Sequence, residues 1–332
     1  FSADYPTGAL IRNDVEGDSS NDSRYWAWQV YGPYDGANYP RIAFITYDKQ
    51  TDTILGSLVP GDVVPTQNAA NWTDKFPKPN MVEIAPGGTK VITHYSRTYP
   101  GSPTADFGGT YFDGAYAWNL DFSGTPVRVS VTETHSGWAF AEDGSDVFVS
   151  QDNTRDKIQA CYIDGRGGAY PANCFDIMDH TDLGFYPGLH FGKFYDNSLR
   201  GWFHLNTYSA ASSVHWGYDQ LLMVELKPAT DNPKVWRITP NFNEYAGNYR
   251  DEATAALGYD GKSIYWTANW GDAADGHGEV LEVKLPSNWY SYFGGEEVDL
   301  SHSDAEVEPS VSDDESSSPI TPPSLLRVID ND

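Results

Sequence analysis

Cysteine, basic residues and long apolar runs are all scarce in this sequence. Its 332 residues include two cysteines, and 21 lysines and arginines stand against 47 aspartates and glutamates, which gives a formal net charge of -26. A chain without a basic face cannot displace counterions from phosphate, so nucleic acid is not an expected partner. No stretch is apolar over the roughly 20 residues that a membrane-spanning helix needs, and we expect no membrane span.

Linear catalytic motifs are absent as well. The sequence contains no H-E-x-x-H zinc signature, no G-x-S-x-G nucleophile turn and no glycine loop of the phosphate-cradling type. An enzyme with this sequence would therefore have to assemble its site from residues that lie far apart in the chain.

A repeated hairpin is the most abundant pattern. Ala256–Asn269 reads ALGYDGKSIYWTAN, in which a turn at Asp260-Gly261 separates two apolar strands. Similar hairpins occur at Phe140–Gln151 and Ile84–Ser96, with a looser copy at Leu189–Asn206. A single hairpin cannot bury its own apolar face, so the copies are expected to pack around a common core.

The repeats divide residues 1–295 into five units of four strands each. These are Gly8–Gly61, Met81–Val131, Ser136–Met178, Phe185–Thr239 and Glu252–Phe293, with Trp289–Phe293 as the fourth strand of the last. They predict an all-β fold, a β-propeller of five four-stranded blades, or of six or seven if Asp62–Pro79 or the chain ends add degenerate strands. The turns Asp143-Gly144 and Asp260-Gly261 resemble blade turns of the TolB-like and YVTN-like propeller superfamily, which implies an architecture and no activity.

Residues 296–332 have a different composition. They are acidic, rich in serine and proline and free of aromatic residues, with eleven acids against one arginine. This composition predicts a disordered tail or linker. Its last apolar run, Leu325–Ile329, could add as a strand to a sheet edge. We therefore expect the tail to serve self-assembly or tethering.

Several features fit a secreted protein. Cys161 and Cys174 predict a disulfide that closes a loop rich in glycine, tyrosine and proline, the alternative being two unrelated buried thiols. The sequons at Asn21 and Asn71 predict glycosylation. The sequence begins without a signal peptide, and Phe1 is expected to be a processed or artificial start. These features together predict a secreted, extracellular glycoprotein.

Propeller geometry sorts the loops by face. Loops that enter a first strand and loops that leave a second strand lie on the same face. Six of the eight histidines fall in or beside these loops: His94, His135, His180, His204, His215 and His277. The same loops carry aromatic candidates for ligand binding: Tyr95, Tyr99, Tyr186, Trp216, Tyr218 and Trp270. Part of this enrichment is expected, because these loops hold much of the sequence outside the strands.

These residues are compatible with three kinds of function. Exposed tryptophan and tyrosine rings can stack on sugars. His94, His135 and His204 as proton acceptors, with Arg97 or Arg200 as carboxylate-binding groups, would suit β-elimination by a polysaccharide lyase. Three histidines could instead hold a divalent metal, or each could be structural. The leading prediction is a module that binds a glycan or an extracellular protein, because no catalytic motif supports the lyase and the negative charge disfavours a polyanionic substrate.

Overall fold

The computed structural model describes residues 10–12, 19–34, 36, 39, 41–59, 78–96, 114–131, 135–184, 187–196, 198–209, 215–245, 247, 251–270, 278–286 and 288–292. The first two sheets consist of β1 (Leu10–Arg12), β2 (Tyr25–Tyr31), β3 (Arg41–Asp48) and β4 (Thr53–Leu58), then β5 (Lys78–Ile84), β6 (Val91–Ser96), β7 (Gly114–Trp118) and β8 (Val127–Ser130). The next two consist of β9 (Ser136–Phe140), β10 (Asp146–Asp152), β11 (Lys157–Tyr162) and β12 (Cys174–Asp179), then β13 (Gly188–Phe191), β14 (Trp202–Tyr208), β15 (Gln220–Glu225) and β16 (Val235–Pro240). The fifth consists of β17 (Ala256–Leu257), β18 (Ser263–Ala268) and β19 (Glu279–Lys284), followed by helix α1 (Trp289–Tyr292).

Each sheet is an antiparallel meander whose strands pair in chain order. The first strands of the third and fourth sheets meet directly. The backbone N–H of Trp138 donates to the carbonyl of Gly192 at 3.3 Å, and that of Phe194 donates to the carbonyl of Trp138 at 3.2 Å. The connections after the first strands of all five sheets surround one cavity. The sheets are therefore the blades of a β-propeller around a common axis, as the repeats predict.

The aspartate-glycine turns explain why the hairpin recurs. Gly144 and Gly261 have φ of 80° and 65°, in the left-handed region that glycine adopts without steric cost. The aspartates before them, Asp143 and Asp260, each accept a hydrogen bond from the backbone N–H two residues further on, at 3.0 and 2.9 Å. The same local chemistry therefore closes the hairpins of the third and fifth blades.

The core lies between the blades, where the buried faces of neighbouring sheets meet. On β5, the carboxylate of Glu83 accepts hydrogen bonds from His94 Nε2 at 2.8 Å and from Trp138 Nε1 at 2.7 Å, which ties the second blade to the third. Between the first and second blades the backbones approach closely, because a Cβ added at Gly56 would lie 2.4 Å from the carbonyl carbon of Asp121. Close packing of this kind holds consecutive blades in register.

The fifth blade departs from the prediction. Among the described residues it has three strands, and Trp289–Tyr292, which the repeats predict to lie in its fourth strand, forms α1. The indole N–H of Trp289 donates to the carbonyl of Gly261 at 2.9 Å, and the hydroxyl of Tyr290 donates to the carbonyl of Arg200 at 2.6 Å. These two bonds turn the chain towards the fourth blade, so the strand prediction was wrong here. The chain ends and most of Asp62–Pro79 lie outside the described residues.

The predicted disulfide is present. Cys161 on β11 and Cys174 on β12 lie directly opposite each other and are bonded. The bond joins the third and fourth strands of one blade, and it fits an extracellular protein. In the ranges given above, no helix is long and apolar enough to cross a bilayer.

Candidate functional site

The two ends of the propeller carry different loops. We call the end with the connections between first and second strands the turn end, and the opposite end, where the chain enters first strands and leaves second strands, the entry end. His135 lies at the entry end, just before β9, whereas Arg200 lies at the turn end, between β13 and β14. β14 has seven residues, which at about 3.3 Å each separates the ends by roughly 20 Å. Arg200 and His135 therefore do not share a face.

Two of the three predicted catalytic histidines are buried in the core. His94 is bound to Glu83 and lies 5.6 Å from the ring of Phe148, between the second and third blades. His204 is fully buried, and neither of its ring nitrogens has a hydrogen-bond partner among the described residues. Burial lowers the pKa of His204 to about 3, so its imidazole is neutral at physiological pH.

His204 also lies elsewhere along its strand than the sequence suggests. The sequence predicts that the second strand ends near His204, but β14 continues to Tyr208, so His204 is the third of seven strand residues. The polar residues that follow it, Asn206 and Thr207, are buried within the strand. The strand therefore extends beyond Asn206, where the hairpin copy in the sequence ends.

His135 belongs to a different cluster at the entry end. Its partly exposed ring stands edge-on to that of His190, with centroids 4.4 Å apart, and His190 Nε2 lies 2.7 Å from a carboxylate oxygen of Glu252. Burial lowers the pKa of His190 to about 4, and burial together with the charge of His190 lowers that of His135 to about 4. Burial raises the pKa of Glu252. A neutral, accessible imidazole thus lies beside a buried histidine-carboxylate pair.

Sequence reasoning missed His190 and Glu252. His190 stands between Leu189 and Phe191 in an apolar strand, and Glu252 is one acid among 47 acidic residues, so neither has a distinguishing local pattern. The histidine-carboxylate pair joins the fourth blade to the segment that enters the fifth. It is visible only once the blades are placed side by side.

The remaining histidines at this end have local structural contacts. His180 Nε2 lies 2.7 Å from the carbonyl of Pro187, and its Nδ1 lies 3.1 Å from Gln151 Nε2. His215 Nδ1 accepts the backbone N–H of Gly217 at 3.2 Å. His277 and Arg97 lie outside the described residues.

The predicted aromatic binding residues divide by exposure. Tyr95 and Tyr218 are buried, Trp216 is half-buried, and Trp270 is 56% exposed. Tyr95 lies on the core strand β6. Its ring centroid is 6.2 Å from that of Phe44 and 6.0 Å from that of Tyr116. Two further candidates, Tyr99 and Tyr186, lie outside the described residues. Of the described candidates, Trp270 alone presents most of its side chain to solvent.

Trp270 pairs with Phe242 to form what we call the aromatic platform. Their ring centroids lie 5.2 Å apart, and Phe242 is 43% exposed. The indole N–H of Trp270 donates to the carboxylate of Glu279 at 2.9 Å. Both aromatic residues have positive φ, 54° for Trp270 and 59° for Phe242, a conformation that costs an L-residue about 1–2 kcal/mol. Their exposure is therefore maintained against a local backbone preference.

Two asparagines hold the loops of the aromatic platform together. Asn269 accepts the backbone N–H of Glu244 at 2.8 Å and donates to the carbonyl of Glu244 at 2.9 Å. Asn243 accepts the backbone N–H of Asn269 at 2.7 Å and donates to the carbonyl of Thr267 at 3.1 Å. These four bonds join the loop after β16 to the end of β18. The aromatic platform is therefore preorganised on a cross-linked backbone.

A cavity of about 420 Å³ opens at the turn end. It is lined by Asn21, Asp22, Pro86, Gly87, Phe140, Tyr195, Asp196 and Tyr259. The rings of Tyr195 and Tyr259 have centroids 5.8 Å apart, and the amide oxygen of Asn21 is buried with no hydrogen-bond partner within the described ranges. The carboxylates can accept hydrogen bonds from sugar hydroxyls, and the aromatic faces can contact a sugar ring or an organic cation.

The described residues give little support to the predicted metal and glycosylation sites. Among the residues that the structure describes, no group of three or more histidine, cysteine, aspartate or glutamate side chains could hold a metal ion. Asn21 Nδ2, the atom that would carry a glycan, donates to the carbonyl of Tyr195. The second sequon asparagine, Asn71, lies outside the described residues.

Comparison with known proteins assigns no family to this chain. No protein-family model and no curated protein matches this chain. Among solved structures it resembles a prolyl endopeptidase (13% identity, TM-score 0.44, covering 83% of this chain and 33% of that one) and prolyl oligopeptidase B from Galerina marginata (12%, 0.42, 84% and 34%). It also resembles an oligogalacturonate lyase from Vibrio parahaemolyticus (10%, 0.36, 82% and 77%). The chain spans about a third of the length of the prolyl peptidases, and likenesses this distant carry no argument about activity.

Proposed function

We propose that this protein is a secreted glycan-binding propeller whose aromatic platform stacks on a sugar ring. The observation that carries the proposal is the exposed Trp270–Phe242 pair, held at positive φ by a network of asparagine hydrogen bonds. The disulfide of the third blade favours an extracellular setting.

The chemistry of the aromatic platform suits a neutral sugar. A pyranose has an apolar face that can cover an indole and a polar edge that needs hydrogen-bond partners. Glu279 provides an acceptor beside the indole. Covering roughly 80 Å² of aromatic surface at about 25 cal/mol per Å² would contribute about 2 kcal/mol, or roughly thirtyfold in affinity.

A binding assay with the full chain tests this proposal. Soluble cello-, xylo-, manno- and chito-oligosaccharides are titrated while tryptophan fluorescence is followed. We expect saturable binding of one of them and a loss of roughly thirtyfold in affinity in Trp270→Ala. The matched control is Tyr259→Ala, which removes an exposed ring at the turn end.

Each result of this assay bears on the proposal. If Trp270→Ala and the unchanged protein bind the sugar with equal affinity, the aromatic platform is not the sugar-binding site. A loss in Tyr259→Ala instead would move the sugar site to the cavity at the turn end. If none of the four oligosaccharide series binds, the proposal that the protein binds a neutral sugar is contradicted.

A lyase is a second candidate function, favoured by the cluster at the entry end. His135 is neutral and partly exposed, and the nearby carboxylate of Glu252 favours the protonated imidazole that forms when His135 takes a proton from carbon. The test is ultraviolet absorbance of unsaturated product from polygalacturonate and from alginate. We expect product with the unchanged protein and with His215→Ala, and none with His135→Ala. Absence of product from both polymers would exclude this function and leave glycan binding unaffected.

A further inference from the structure

The third strand of the fifth blade is more exposed than its counterparts. In the fourth blade every residue of β15 is buried, and in the third blade the four central residues of β11 are buried. In β19 no residue is buried, and Val280 is 73% exposed. The difference has a simple cause, because β15 and β11 pair with a fourth strand, whereas β19 pairs with β18 on one side and with no other strand of the described part.

Along the open edge of the sheet, the side chains of β19 alternate between the two faces of the sheet. Leu281 and Val283 lie opposite Trp266 and Ile264 of β18 and reach the core, but both remain only partly buried. Val280 and Glu282 lie on the other face, towards solvent. An open edge that alternates in this way is a template for one more strand, and an unprotected edge invites aggregation.

The C-terminal segment has the sequence that this edge requires. We propose that Leu325–Ile329 of the same chain adds antiparallel to β19 and completes the fifth blade. With Arg327 opposite Glu282, Leu326 faces Val283 and Val328 faces Leu281, so two apolar pairs extend the core face. On the outer face, Ile329 lies opposite Val280. The one basic residue of the tail thus meets an acidic residue of the edge.

The length of the tail permits this pairing within one molecule. From the end of α1, residues 293–324 provide 32 residues of serine-, proline- and acid-rich chain, which as a flexible linker would span roughly 30 Å. A blade of four strands is about 20 Å wide at its usual strand spacing. Because a linker of this reach gives an effective concentration of about a millimolar or more, the chain's own segment outcompetes that of a second copy. This inference does not depend on glycan binding.

Paired cysteines in the full chain test the proposed register. Val280→Cys with Ile329→Cys is expected to give an intramolecular cross-link under mild oxidation, found by mass spectrometry beside the native disulfide. The control, Val280→Cys with Ser317→Cys, places its second thiol outside the proposed strand and should cross-link about tenfold less. A cross-linked dimer as the main product would overturn pairing within one chain and assign the edge to a second copy.

Hydrogen exchange supplies a second, independent measurement. Replacement of Val328 by Asp should speed exchange of the β19 amides about tenfold or more, because it removes a core-facing contact, while Asp330→Asn, outside the strand, should leave exchange unchanged. If β19 exchanges at the same rate in Val328→Asp, and neither cysteine pair cross-links, the proposal is wrong. Continued sugar binding in that case would show that the two proposals fail separately.

Discussion

His204→Leu should stabilise the propeller and remove part of its sensitivity to acid. The imidazole of His204 is fully buried and has no partner for either nitrogen in the part of the chain that the structure describes. It packs against the backbone of Gly192, where an added Cβ would lie 2.7 Å from Nδ1. A buried, unsatisfied polar group costs about 1–3 kcal/mol. Leucine fills a similar volume without polar atoms, so we expect the variant to gain about 1–2 kcal/mol in unfolding free energy at neutral pH.

The pH dependence follows from the lowered pKa. The imidazole titrates near 6.5 in the unfolded chain and at about 3 in the native protein. Below pH 6.5 the unfolded chain binds the proton first, so stability is fully present above 6.5 and is lost as the pH falls towards 3. Between pH 7.5 and pH 5 this single group should remove about 2 kcal/mol.

Urea unfolding followed by tryptophan fluorescence measures both effects. The free energy of unfolding is determined at pH 7.5, 6 and 5 for the unchanged protein and for His204→Leu, so that contributions from the other histidines cancel in the comparison. We expect the gap between the two proteins to widen by about 2 kcal/mol from pH 7.5 to pH 5. A constant gap, or a variant less stable at every pH, would refute the assignment of an unpartnered neutral imidazole.

Two further predictions concern the contacts within and between blades. Gly56→Ala should destabilise the protein by about 2 kcal/mol or more, because the new Cβ meets the backbone of Asp121, whereas Gly278→Ala, whose nearest neighbour would lie 3.5 Å away, should stay within about 0.5 kcal/mol in the same urea assay. Replacing Cys161 and Cys174 together by serine should cost about 3 kcal/mol, since the cross-link closes a loop of about 14 residues. An unchanged urea midpoint in either Gly56→Ala or the serine variant would contradict the corresponding contact.

The fold could be predicted because its signal is local. The Asp143-Gly144 and Asp260-Gly261 turns combine a glycine that tolerates positive φ with an aspartate that binds a backbone N–H two residues on. The aspartate and the glycine of each turn are adjacent in the sequence, so the repeat can be recognised without coordinates. The fourth strand of the last blade was mispredicted because the burial of Trp289 depends on a distant acceptor, the carbonyl of Gly261.

The candidate site was harder to predict because its contacts join different blades. Asn206 and Thr207 have the polarity of loop residues, yet Asn206 donates to the carbonyl of Ala255 at 3.5 Å and Asn241 donates to the carbonyl of Thr207 at 2.9 Å. The side chain of Asn206 can therefore remain within a buried strand because its partner lies 49 residues away, while Thr207 Oγ1 accepts the backbone N–H of Gln220 at 2.9 Å. Trp270 was identified correctly as a loop aromatic, but its partner Phe242 comes from another blade.

The direct backbone bonds between Trp138, Gly192 and Phe194 have a mechanical consequence. Because β9 shares two backbone hydrogen bonds with the segment that follows β13, the third and fourth blades cannot be pulled apart without breaking these bonds. When the protein is stretched from its ends, we expect residues 136–240 to yield in one rupture event. The native disulfide keeps its own loop closed, so this event should release roughly 300 Å of contour length at about 3.5 Å per residue.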